Sequence, residues 1–173
     1  PSLGTYTHLA DALRYGLTQF SDEYGLLFES NRRIIDVMGD GPDNRYRSCS
    51  GISGCSGTQW KQYNANQVRS VVDTALSAGT VTQVNGLAIL GDSYFADYAP
   101  TGASNMTDYY GQYMIGGDDA FVEVAASLSN VADALQQKLL TEVTPLATPI
   151  PAPPALAALG LGLSSRRRRT AAS

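Results

Sequence analysis

Cysteine and histidine are scarce: the 173 residues hold two Cys and one His. Structural zinc sites need four such ligands, so His8, Cys49 and Cys55 cannot complete one. Long apolar runs are absent as well. Nothing approaches the roughly 20 residues that span a bilayer, which excludes a complete transmembrane helix from this sequence. No Gly-x-Gly-x-x-Gly loop follows any strand-like run, which weighs against dinucleotide binding. Basic residues are few and unevenly placed: 12 Lys plus Arg face 16 Asp plus Glu, and Arg166, Arg167, Arg168 and Arg169 are consecutive. The rest of the chain carries eight cations against sixteen carboxylates, or −8. A body that acidic repels phosphate backbones, so no nucleic-acid partner is expected. No initiator Met and no basic-then-apolar leader stands ahead of Pro1, so the sequence reads as a cut piece or a processed product.

What is present supports a folded domain. Hydrophobic residues make up 43% and are well spread, enough for a buried core. Leu9, Ala12, Leu13, Leu17 and Phe20 recur at helical spacing behind Thr7, the expected cap. The run Ile34–Met38 is short and β-branched and closes on Gly39-Asp40-Gly41-Pro42, the pattern of a buried strand ending in a tight loop. Residues 43–63 show no usable period and read as a long loop. Val68, Val71, Val72, Ala75 and Leu76 predict a second helix from about Asn64 to Gly79, and Val84–Leu90 a second strand. Residues 93–105 read as irregular, Met106–Ile115 as a short aromatic helix stopped by Gly116-Gly117, and Phe121–Val124 as a third strand. Leu128, Val131, Ala132, Leu135, Leu139 and Leu140 mark the apolar face of a last helix. This alternation predicts an α/β fold, a partial doubly wound, Rossmann-like sheet of three parallel strands with flanking helices and ligands at the carboxyl ends of the strands.

Composition changes after residue 143. Residues 144–154 hold five of the eight prolines and form a linker, and 155–173 add a short apolar run before the arginines. Neither segment is expected to belong to the fold.

The sharpest chemical signal is Gly39-Asp40-Gly41-Pro42-Asp43-Asn44 directly after a strand. A carboxylate there faces the crevice where the sheet ends, and glycines let backbone approach closely, which suits a hard cation such as Mg²⁺. The plainer reading is a solvated turn rich in turn formers. Asp36, inside the strand, is expected to pair with Arg32 or Arg33.

Arg33–Asn44, then Val84–Leu90, Tyr109-Tyr110, Ile115-Gly-Gly and Ala120-Phe-Val122, taken in that order, resemble a bacterial branch of the von Willebrand factor A superfamily of undefined function, over roughly residues 4–143. The resemblance implies a metal-ion-dependent adhesion site built from an Asp-x-Ser-x-Ser loop, a Thr on a second loop and an Asp on a third. Thr7 matches that Thr and Asp40 that Asp, with Gly39, Gly41, Asp43, Asn44 and His8 expected to border the ion or to hold its ligands. Gly39 stands where many of the wider superfamily carry Thr or Ser. Hydroxyls and waters leave the ion under-neutralised, so it seeks a carboxylate from a partner protein or ligand. Asp-x-Ser-x-Ser occurs nowhere in the sequence, and the resemblance places it, with the first strands of the domain, upstream of Pro1. The Ile34–Met38 strand is then expected at a sheet edge.

An insert at 45–63 adjoins this rim. Cys49 and Cys55 in its glycine-rich turn either bridge in an oxidising compartment, constraining the loop by about 2 kcal/mol, or remain thiols; export favours the bridge. His8 reads as a solvated or capping residue, and Tyr94, Tyr98, Tyr109, Tyr110 and Tyr113 as packing rather than as a recognition surface. Asn105-Met106-Thr107 matches a glycosylation sequon, read as chance in a bacterial protein.

The tail, with Pro151, Pro153 and Pro154, a Leu/Ala/Gly run and Arg166–Arg169, is similar to sorting signals of the PEP-CTERM type. That similarity implies export to the periplasm, envelope or surface of a Gram-negative bacterium, and transient contact with membrane or sorting machinery. The apolar run Ala155–Leu163 is about half a bilayer span.

The leading expectation is therefore an exported, non-enzymatic, divalent-cation-dependent binding domain. A structural envelope protein with an inactive metal site is the first alternative. The second is a haloacid-dehalogenase-like Mg²⁺ phosphatase, whose last motif Gly-Asp-Gly-x-x-Asn resembles; such enzymes place a Lys ahead of it, whereas the first Lys here is Lys61.

Overall fold

The computed structural model describes residues 7–20, 31–91 and 95–144. The chain divides after Val143, and every element below belongs to the first unit, Pro1–Val143. The tail residues Pro151, Pro153, Pro154 and Arg166–Arg169 lie outside the described residues, as does Tyr94.

Three parallel strands form the sheet: β1 (Ile34–Gly39), β2 (Gln83–Ile89) and β4 (Val122–Ala125). β2 is central, pairing with β1 on one side (Ile35 opposite Val84, Asp36 opposite Asn85) and with β4 on the other (Leu87 opposite Glu123). A two-residue strand, β3 (Gly116–Gly117), pairs antiparallel with the start of β2. The glycines expected to stop a helix thus extend the sheet. Among the described residues β1 pairs on one side only, and Ile34 and Ile35 are half-buried.

Helices cover both faces, as parallel sheets require. On one face α1 (Leu9–Thr18), α2 (Gln59–Ser77) and the segment Met106–Met114 pack over Val84 and Ala88. That segment is α4 (Met106–Tyr109) followed by a π-helical turn, Tyr110–Met114, and it buries Tyr109, Tyr110 and Tyr113. The tyrosines of this stretch are packing residues, and Asn105 caps α4 by accepting from the Asp108 amide. On the other face α5 (Val131–Val143) lies over Leu87, Ile89 and Ala125 through Ala134 and Val131.

Several boundaries differ from the periodicity reading. α2 begins at Gln59 rather than near Asn64, because Trp60 adds a buried anchor that a search for aliphatic spacing passes over. The insert is therefore loop only to about residue 58. A short helix, α3 (Phe95–Tyr98), interrupts the stretch expected to be irregular. Thr7 does not cap α1: His8 holds the N-cap position without a side-chain bond, and the Ala10 amide donates to Oδ2 of Asp43 instead, at 2.9 Å.

The largest departure concerns the last helix. Leu128, Leu135, Leu139 and Leu140 are exposed, while Ala134, Lys138 and Glu142 face the sheet. Asp36 likewise pairs with Lys138 rather than with either arginine.

Candidate functional site

The loop after β1 is built by its own polar side chains. Asp43, 2% exposed, accepts from the amides of Ala10 (2.9 Å) and Arg45 (3.0 Å), and its own amide donates to the Tyr109 hydroxyl at 3.1 Å. Asn44 accepts from the Thr7 amide at 2.5 Å, and its amide donates to the Thr7 carbonyl at 2.9 Å. The loop is thus tied to the first turn of α1, and two donors at that helix start gain partners. Burial pushes the Asp43 carboxyl up, a shift that its two amide donors oppose.

Asp40 stays exposed at the mouth of this loop, and Gly41 and Pro42 are buried. Beneath it lies Tyr110, a fully buried side chain whose hydroxyl has no partner among the described residues. A Cβ added at Gly39 would stand 3.1 Å from that hydroxyl, so the missing side chain at 39 is what admits it. Burial, with the charge of Asp40 added, pushes the tyrosine pKa upward, so the group is a neutral donor. An orphaned hydroxyl is costly unless something accepts from it.

The structure thus brings Thr7, Asp40, Asp43 and Asn44 to one end of the sheet. His8 lies 3.6 Å from Asp11 on the first turn of α1. Among the described residues no three His, Cys, Asp or Glu side chains stand together as a metal cluster. The donors at the rim are oxygens, which fits a hard cation in kind, with Asp40 the exposed carboxylate. Cys49 and Cys55 are disulfide-bonded, and the bridge ties the turn of the adjoining loop.

A second polar cluster escaped the sequence reading. On the α5 face Lys138, 1% exposed, contacts both Asp36 and Glu142, and its ammonium sits 5.6 Å over the Phe121 ring. Asn85 donates to Glu142 at 2.7 Å, Gln83 to Asn85 at 2.9 Å, and Arg32 to the Glu142 carbonyl at 2.8 Å. Burial raises the Asp36 pKa, helped by Glu142 and opposed by Lys138. For Glu142 burial acts upward too, but Lys138, Asp36 and Asn85 outweigh it and the pKa is lowered. The available signal was the alternation of Gln83 and Asn85 with apolar residues on β2, matched by Lys138 and Glu142 one turn apart.

Fold and rim together define an α/β domain of Rossmann-like type, with its exposed carboxylate at the carboxyl end of a parallel strand. The chain belongs to a family described as protein of unknown function (DUF1194), whose model matches residues 2–147. No curated protein and no solved structure matches it.

Proposed function

We propose that this chain is a non-enzymatic, divalent-cation-dependent binding domain acting at the rim formed by Thr7 and Gly39–Asn44. The observation that carries the reading is Asp40, an exposed carboxylate above the orphaned Tyr110 hydroxyl, in a loop clamped to Thr7. Mg²⁺ or a similar ion would take Asp40 and Thr7, with water filling its other positions. One carboxylate leaves the ion under-neutralised, so it favours a carboxylate-bearing ligand or partner protein. Two donors from this chain hold the ion weakly or not at all at physiological concentration, because Mg²⁺ gives up water reluctantly. The closed Cys49–Cys55 pair supports an exported protein of the bacterial envelope, with the proline- and arginine-rich tail as its sorting element.

Paramagnetic Mn²⁺ reports weak sites by broadening nearby amide resonances. Titration of the whole chain should broaden Thr7 and Gly39–Gly41 first, and Asp40→Ala should abolish the effect. No broadening at millimolar Mn²⁺, or an unchanged pattern in Asp40→Ala, overturns the reading and leaves a structural envelope protein in its place.

A further inference from the structure

The charge of this protein is unevenly distributed. Residues 44–72 contain Arg45, Arg47, Lys61 and Arg69 and not one carboxylate, in a chain that is −8 outside its arginine tail. Three of those cations are gathered by aromatic rings. The Arg47 guanidinium lies 5.1 Å from the Tyr98 ring centre, Tyr98 meets Trp60 edge-on at 6.0 Å, and the Lys61 ammonium lies 5.7 Å over Trp60 while donating to the Ala96 carbonyl. Alongside, Arg45 lies 5.6 Å over Tyr46, which packs edge-on with Tyr63 at 5.5 Å. Asn64 holds the Tyr46 backbone from both sides, accepting from its amide and donating to its carbonyl. The disulfide ties the intervening turn, so the wall is preorganised. The neighbouring carboxylates are Asp11, already shared by Arg14 and Arg45, Asp73, paired with Arg69 at 2.6 Å, and Asp97 on α3.

Two concavities flank the start of α2 and share Gln59 and Gln62 as a common ridge. One, about 490 Å³, adds Thr58, Lys61, Pro100 and Thr101; the other, about 340 Å³ and mostly apolar, adds Ile52, Cys55, Tyr63 and Asn66.

We propose that this wall binds an acidic polysaccharide, a uronic-acid chain, independently of the metal rim. Arginine and lysine form charge-assisted bonds to sugar carboxylates. Side-chain amides and hydroxyls satisfy ring hydroxyls, and Tyr63 offers an apolar body with a polar tip. A lipid surface would need an apolar wedge, and single-stranded nucleic acid would need open aromatic faces for its bases, whereas Arg45, Arg47 and Lys61 already lie over Tyr46, Tyr98 and Trp60. An acidic peptide would match the charge but would leave the Gln59 and Gln62 amides on the ridge between the hollows unused.

Trp60 is the sole tryptophan and lies in the wall, so its emission reports occupancy. The test is a titration of the whole oxidised chain with hexagalacturonate in EDTA, read by Trp60 fluorescence and by calorimetry. Saturable binding is expected, weakening as salt rises and unaffected by Asp40→Ala. Arg47→Glu with Lys61→Glu should lower affinity at least tenfold in a chain that still unfolds cooperatively. Lys61→Gln alone, the gentler change, should lower it about threefold. No saturable binding, equal affinity for neutral dextran, parent-like affinity in both variants, or tighter binding of polyglutamate each overturns the proposal. Because EDTA removes divalent ions, none of these outcomes bears on the Mn²⁺ experiment.

Discussion

The ring of Tyr110 lies directly on the backbone of Gly86, in the space a side chain on the central strand would fill. From there it reaches past β2 until its hydroxyl meets Gly39 at the end of β1. One tyrosine on a π-helical turn therefore joins the middle of the sheet to the loop that carries Asp40. Two glycines in neighbouring strands make this possible, and both are needed for close approach rather than for a special backbone angle.

Gly86→Ala should destabilise the fold by about 1–3 kcal/mol, the usual cost of forcing extra volume into a packed core. Urea unfolding measures it directly. Because the clash is with the Tyr110 ring, Tyr110→Ala in the same chain should make the alanine at 86 nearly neutral, and a strictly additive double variant would contradict the contact.

Lys138→Met leaves Asp36 and Glu142 facing each other without their shared cation. The loss at pH 7 should be roughly 2–3 kcal/mol, below the figure for a fully buried pair because Asp36 is half-exposed. In the parent, the lowered pKa of Glu142 contributes stability that is lost as pH falls through its folded value, below the ordinary 4.5. In the variant both carboxylates take up protons more readily, so the penalty should shrink as the pH drops from 7 to about 4. Paired urea titrations at the two pH values decide the sign.

Asp43→Ala removes the acceptor for the Ala10 and Arg45 amides and should cost about 1–2 kcal/mol, in the range of a lost helix cap. Its raised pKa adds a pH signature. A carboxyl whose folded pKa lies above the unfolded value of 3.8 makes stability decline as pH rises between the two. Asp43→Asn should flatten that decline, and an unaltered pH profile would argue that the carboxylate is not buried against α1.

Leu139 is 46% exposed although it sits in the apolar stripe of α5. Leu139→Lys should therefore change stability by less than about 0.5 kcal/mol, as for other surface positions. A loss of several kcal/mol in a thermal melt would restore the leucine stripe as the buried face.

Much of the architecture was legible in the residues themselves. Short apolar runs closed by glycine turns located β1 and β2, the 3.6-residue spacing from Val68 to Leu76 located most of α2, and a Gly-Asp-Gly-Pro turn marked the strand end that exposes Asp40. These are local signals, carried by propensity and by alternation along a single element. The parts that were not legible depend on what lies opposite. A leucine stripe is buried only if an apolar surface faces it, and the sheet beneath α5 presents Asp36 and Asn85 there, so the helix turns Lys138 and Glu142 inward and leaves its leucines outside. Asp43 and Thr7 are 36 positions apart in the chain, and no local pattern says which will complete the start of α1. That was decided when the loop after β1 folded against α1, because the buried amide of Ala10 needed an acceptor and the carboxylate of Asp43 was the group within reach.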